Sequence, residues 1–333
     1  MKDYFFLVVI VLLIGSDLQA QQSPHISLYR YHFNMINPAV SGIKSAPYLN
    51  MSFRSQWQSV EGAPEAQIVS FATPTRRERV GLGVNLVHDK TFVEDQTQVF
   101  GSFSYLLQLN RKLKLYLGLQ AGINGYSVNV NGLEVWDEGV LISDPYLLNT
   151  SKFSPNFGVG AYLKDPNFYV SLSAPKILST KRFRDQNGLV TTASDRVHSY
   201  LSAGFYQKLN THFKLVPSFL FRYTNYAPSL LTLNTTLSYK ETIDFGIEYS
   251  IRSGFGSTLM IDTGSTFSFG YAYVSSMHGA INRFSKGTHE VVMQLKLGKE
   301  IEQSKGKRER KANRIKRSRK ERNIGTKNKD RQG

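Results

Sequence analysis

Cysteine is absent from the 333 residues. This excludes disulfides, thiolate metal sites, a cysteine nucleophile and a cysteine-linked N-terminal lipid anchor. Long apolar runs are scarce too. The strongest, Tyr4–Ile14, falls far short of the roughly 20 residues that a helix needs to cross a bilayer. Lys2 precedes it and a polar stretch ending at Ala20 follows it. That is the layout of a secretory signal over 1–20, with the mature chain starting at Gln21. No amphipathic helix as strong as the chain's strand-like alternation appears in the rest. Acidic residues are in the minority, 25 Asp+Glu against 41 Lys+Arg, for a net charge of +16. The imbalance is local: from Lys299 to Gly333 there are 15 Lys+Arg and 5 Asp+Glu, so +10 belongs to a tail.

Signatures of chemistry are missing as well. The seven histidines, at 25, 32, 88, 198, 212, 278 and 289, show no metal-ligand spacing. His88 and Asp89 are adjacent on a strand, so they face opposite ways and cannot easily act as a dyad. The glycine-rich pieces read as strands that taper or bend, not as phosphate-binding loops. Neither a cofactor nor an enzymatic activity is expected.

What is present is alternation. In TIDFGIEYSIR, Ile243, Phe245, Ile247, Tyr249 and Ile251 share one face, while Thr242, Asp244, Gly246, Glu248, Ser250 and Arg252 share the other. Strand side chains alternate with period two, so each such segment has an apolar and a polar face. The same pattern recurs in about fourteen segments. They begin near Pro47, Ala66, Arg79, Gln96, Arg111, Pro155, Asn167, Val197, Thr211, Leu230, Thr242, Gly254, Ser265 and Thr288. The connections after even-numbered segments are tight. Those after the fifth, seventh and thirteenth are long, near 126–154, 175–196 and 274–287, and the other odd-numbered ones are mostly intermediate, though that around Ser253 is short.

A soluble sandwich or propeller also alternates, but gives no reason for one end to hold all the tightest turns. An outer-membrane barrel does: short periplasmic turns, longer external loops and an even strand count. Aromatics at segment ends, at Trp57, Tyr105, Tyr126, Tyr223, Tyr239 and Tyr273, fit interfacial girdles. The expected fold is therefore all-β: a closed antiparallel transmembrane barrel of about fourteen strands. Its apolar faces meet outer-membrane lipid and both termini lie in the periplasm. The organisation is a signal over 1–20, an N-terminal periplasmic segment or plug over 21–46, the barrel over 47–298 and a basic tail over 299–333.

Residues 31–42, YHFNMINPAVSG, fit neither chain period. Asn37-Pro38 starts a turn and Gly42 permits unusual backbone angles. The pattern Phe33, Asn34, Asn37, Pro38, Ala39 and Gly42 resembles the N-terminal signature of the PorP/SprF family, outer-membrane barrels of Bacteroidota tied to type IX secretion and gliding motility. Further similarities follow in order: Arg54, Gln56 and Trp57 as R-x-Q-W; Gly81-Leu82-Gly83-Val84; Ser104-Tyr105; Gly270-Tyr271-Ala272-Tyr273; and Gly287-Thr288-His289-Glu290. The chain departs from the family at Ala63-Pro64-Glu65-Ala66, where a threonine is common, and in the tail beyond Lys299. The resemblance implies a non-catalytic accessory role in the export or surface attachment of a secreted cargo such as a large adhesin. Its partners would be type IX components and, in some members, the cell wall through a periplasmic protein. A diffusion porin and a structural anchor are the alternatives.

Three local expectations follow. Arg54 and Glu290 lie on the polar faces of the first and last strands, which are neighbours in a closed barrel. They form an inward pair across the seam, or are separately hydrated. Tyr31, Phe33 and Met35 tuck into the mouth of the barrel. The tail, with Lys307, Arg308, Arg310, Lys311, Arg314, Lys316, Arg317, Arg319 and Lys320, docks electrostatically on a periplasmic protein, an anionic wall polymer or lipid headgroups. Nucleic acid does not fit the compartment, and no aromatics are interleaved for base stacking.

Overall fold

The computed structural model describes residues 26–75, 79–129, 150–179, 197–225, 227–251, 254–264, 266–275 and 285–298. The signal over 1–20, the docking residues of the tail and most of the three long connections lie outside these residues.

Alternation becomes strand wherever the sequence carries it. The strands are β1 (Tyr48–Ser55), β2 (Glu65–Pro74), β3 (Val80–Thr91), β4 (Glu94–Gln108), β5 (Lys114–Val128), β6 (Thr150–Lys164) and β7 (Phe168–Lys176). Then come β8 (His198–Phe205, resumed after Tyr206 by Gln207–Lys208), β9 (Phe213–Thr224), β10 (Ala227–Tyr239) and β11 (Ile243–Ser250). The last three are β12 (Gly254–Asp262), β13 (Phe267–Ser275) and β14 (Thr288–Lys296). Each pairs antiparallel with its sequence neighbours, and β14 returns to β1, from Tyr48↔Lys296 to Ser55↔His289. The sheet is thus a closed fourteen-stranded barrel with no free edge.

Its burial is inverted relative to a soluble protein. Leu119 is 60% exposed and Ile247 58%, on the outer face, whereas Asn50, Ser70 and Thr232 are wholly buried on the inner one. A bilayer explains this arrangement: lipid solvates the outer leucine, valine and phenylalanine faces, and strand-to-strand bonding around a closed sheet supplies the backbone hydrogen bonds that lipid cannot.

One rim carries only short turns, at 75–79, 109–113, 165–167, 209–212, 240–242 and 263–266. The other carries 56–64, 129–149, 177–197 and 276–287, together with a short connection at 251–253. Two connections on that second rim, 92–93 and 225–226, are two-residue hairpins where the alternation predicts intermediate lengths. The difference at 92–93 arises because β3 and β4 continue as a paired ribbon to Thr91↔Glu94, and Phe92 adopts φ +54° to close it. The girdle also needs one correction. Tyr105, Tyr223 and Tyr239 face outward, but Tyr126 shares the inner face of β5 with Asn124 and is buried.

Candidate functional site

The stretch before β1 packs inside this polar interior. It folds as a turn over 27–31, one helical turn α1 (Phe33–Ile36) and a 3-10 turn (Pro38–Gly42). Proline at the first position of the 3-10 turn loses no hydrogen bond there. Asn37 caps the turn, its Oδ1 accepting from Ala39 N at 2.9 Å.

The two asparagines of the signature tie this segment to the wall. Asn34 Nδ2 donates to Asn85 Oδ1 at 2.9 Å, and Asn85 Nδ2 donates back to Asn34 O at 3.2 Å. Asn37 Nδ2 donates to Ser171 Oγ at 2.8 Å and Ala161 O at 3.0 Å. Ser41 and Ser102 hydroxyls meet at 2.6 Å, and Ser173 Oγ donates to Ile36 O at 2.8 Å. Both asparagines are almost wholly buried, where an unmade hydrogen bond costs about 1–3 kcal/mol.

Three wall glycines let the backbones meet. A Cβ at Gly81 would come within 3.0 Å of Gly42, one at Gly118 within 3.0 Å of Ala39, and one at Gly160 within 3.0 Å of Asn37 Oδ1. These glycines are not tapering or bending devices; they are recesses into which the segment fits. Ser104 Oγ lies beside both Gly42 and Gly81. The Gly81-Leu82-Gly83 and Ser104-Tyr105 motifs thus line the bed of the N-terminal motif.

Further along, Phe33 packs edge-on to Tyr162 and Tyr169, with ring centroids 5.6 and 6.0 Å away. Leu28 packs on Met260, Ala272 and Val292. Gly270 belongs to the same region, since a Cβ there would meet Val292 and Met260. Of the three side chains expected in the mouth, Phe33 is buried but Tyr31 and Met35 are only partly so. Tyr31 turns its hydroxyl to Asp244 at 2.8 Å. The largest fully buried side chains of the segment, Leu28, Tyr29, His32, Asn34 and Asn37, include a histidine whose two ring nitrogens lack a hydrogen-bond partner among the described residues. Burial, and secondarily the nearby Lys44 charge, lowers the His32 pKa to about 3. Beside it lies a cavity of about 30 Å³ lined in part by Tyr29, Tyr200, Arg222 and Thr232.

At the seam, Arg54 and Glu290 are register partners and both are buried. Each bonds elsewhere. Glu290 Oε2 accepts from Ser27 N at 2.9 Å and Leu28 N at 3.5 Å, while Arg54 Nη1 donates to Gln56 Oε1 at 3.1 Å. Glu290 Oε1 and Arg54 Nε have no hydrogen-bond partner among the described residues. The carboxylate therefore holds the Ser27–Leu28 turn of the inner segment. Trp57 follows β1 with φ +52°. On the outer face, Tyr271 Oη and His289 Nδ1 are 2.7 Å apart, stapling β13 to β14. His88 bonds Thr97 at 3.0 Å and lies 3.5 Å from Asp95, not beside Asp89.

Sequence reasoning did not find Asn85, Ser102, Ser171, Gly118 or Gly160 as partners of the segment. The available signal was small residues on inner faces, at positions where a side chain would otherwise fill the interior.

Residues 18–295 match the family described as type IX secretion system membrane protein PorP/SprF. No curated protein matches the chain. Among solved structures, the Acinetobacter baumannii outer membrane protein Omp33 is similar at 9% identity and TM-score 0.45, covering 77% of this chain and 100% of its own. A Pseudomonas aeruginosa FadL homologue is similar at 13% identity and TM-score 0.44, covering 79% and 93%. The CymD monoaromatic hydrocarbon channel is similar at 14% identity and TM-score 0.46, covering 80% and 93%. The barrel assignment rests on strand order and register, not on these likenesses.

Proposed function

Because the chain belongs to the PorP/SprF family of type IX secretion system membrane proteins, we propose that it is an accessory outer-membrane component that assists export or surface attachment of a specific secreted cargo, such as a large adhesin. The short-turn rim and both termini face the periplasm in this reading, and the basic tail docks there on a protein or wall polymer. The outer loops, from 129–149 and 177–197 above all, meet the cargo.

The observation that favours this over a diffusion porin is the inner segment. Its asparagines and serines bond to β3, β4, β6 and β7, and its first residues bond to Glu290 of β14. A general porin needs an open aqueous channel along its axis. Here that space holds a folded piece of the chain, fitted to glycine recesses on three strands. The segment acts as a plug that keeps the barrel closed while its rims serve as docking surfaces.

The test is a pull-down from crosslinked outer membranes, comparing the full chain with one ending at Gly298. Recovery of a surface adhesin and type IX components with both, and loss of a periplasmic protein or wall fragment from the short form, supports the proposal. If neither form recovers secretion components and the purified barrel conducts ions, the porin alternative replaces it.

A further inference from the structure

The short-turn rim is strongly basic. Among its described residues, at 44, 79, 109–114, 164–168, 206–214, 239–244, 262–266 and 296, there are ten Lys or Arg against four Asp or Glu. Many of these charges sit on exposed turns, but Lys296, Asp244 and Asp262 are half-buried at strand ends. So are three further lysines. Lys114, Lys164 and Lys214 are half-buried and share the inner faces of β5, β6 and β9 with Tyr116, Tyr162 and Val216, so they point into the mouth.

Their arrangement is unfavourable as it stands. Lys114 and Lys164 are direct register partners on adjacent strands, a placement in which like charges repel. Lys164 also feels the charge of Lys214. Among the described residues the counter-charge nearby is thin. Glu241 lies 3.7 Å from Lys214, but its side chain is 81% exposed, and such a pair contributes little. Asp165 accepts Asn167 N at 3.0 Å within its own turn. By contrast, Lys296 across the mouth is matched by Asp262 at 2.7 Å. Aromatic surface adjoins the trio: Lys214 Nζ stands 4.8 Å from the Tyr206 ring centre.

We propose that this lysine trio in the barrel mouth is a docking site for an acidic segment of a partner polypeptide. Bilayer headgroups lie outside the wall and do not reach side chains that point into the lumen. The trio spans four strand steps from β5 to β9, about 19 Å along the wall at the usual strand spacing. That is too wide for one phosphate but suits carboxylates strung along a chain, with Tyr206 offering apolar contact to the same segment. The proposal rests on the reading above only for the compartment, the periplasm, in which the partner is found. Binding to the purified barrel is independent of any role in secretion.

The experiment uses the full chain in nanodiscs of zwitterionic lipid and a twelve-residue glutamate-rich peptide as probe. Amine-reactive labelling, read by mass spectrometry, reports each lysine separately, which distinguishes the mouth from the basic tail. The peptide should lower labelling of Lys164 and Lys214 at least fivefold while Lys112, on a turn tip, changes little. Protection should fade when salt rises from 50 to 300 mM, as Debye screening requires. The K114Q/K164Q/K214Q variant should bind the peptide about tenfold more weakly at low salt, and the triple arginine variant should retain binding. Protection confined to tail lysines would overturn the proposal. So would equal protection by millimolar inorganic phosphate, which would make the trio a simple anion site. If the glutamine variant does not fold, labelling of the native chain decides alone.

Discussion

Replacing Asn37 with alanine removes the side chain that joins the plug to itself and to the wall. Three hydrogen bonds disappear: the cap on Ala39 N, the donation to Ser171 and the donation to Ala161 O. Loss of an asparagine cap costs about 1 kcal/mol. Each buried partner left unsatisfied costs about 1–3 kcal/mol, and the Ser171 hydroxyl can turn to recover part of its share. The docked plug should therefore lose about 3–6 kcal/mol. At about 1.4 kcal/mol per tenfold, the undocked population rises by about 10²–10⁴. The barrel itself should survive, because its strand pairing does not involve this side chain. When opening and closing are fast, proteolysis tracks the equilibrium population of the open form. Chymotryptic cleavage after Tyr31 or Phe33 should thus accelerate by the same factor, and single-channel conductance should appear in planar bilayers. A cleavage rate within threefold of the native chain, in protein that still migrates as a folded barrel before heating, would show that Asn37 does not hold the plug.

Other perturbations should act through the same interface. Gly118→Val places side-chain atoms where Ala39 now lies, so it should expel the plug, raise conductance and leave the barrel folded; a closed, protease-resistant G118V barrel would count against the recess. Acid should loosen the plug through His32: docking favours the neutral ring, so stability is full above the ordinary pKa of about 6.5 and falls as pH drops toward about 3. Conductance should rise over that window, and H32F should abolish the rise. The Ser41 and Ser102 hydroxyls are 2.6 Å apart in a chain without cysteine, so S41C/S102C should form a single crosslink that suppresses acid-induced conductance until a reductant is added; conduction through the crosslinked form would mean that ions pass around the plug.

The barrel was legible because each strand records its own environment. Lipid on one face and a polar interior on the other impose period two on every segment, so strand number, facing and the Arg54–Glu290 register follow from local sequence. The plug was legible only as an anomaly. Residues 31–42 carry aromatic, amide and small groups in no period, which marks them as bent but says nothing of where they bind. The partners of Asn34, Asn37 and Ser41 come from β3 to β7, and no local rule links Asn37 to Ser171 across 134 positions. Gly118 and Gly160 show the difficulty most clearly. Within a strand, glycine reads as a weak point, and its use as a recess becomes visible only once closure brings Ala39 and Asn37 against it.

Glu290 extends the same reasoning to the seam. Pattern alone placed it opposite Arg54, and an ion pair was one of two expectations. The carboxylate instead accepts the backbone N–H groups of Ser27 and Leu28, which would otherwise be buried without partners. A carboxylate that accepts a backbone N–H makes a stronger bond than a neutral acceptor, about 1.5–3 kcal/mol. Glu290→Gln keeps the shape and an acceptor oxygen but removes the charge. The Ser27–Leu28 turn should then fray first, with hydrogen exchange there accelerating about three- to thirtyfold while the Asn34 and Asn37 amides stay protected. Equal acceleration along the whole of 26–42 would mean that the plug undocks as one body and that Glu290 is part of a single cooperative lock.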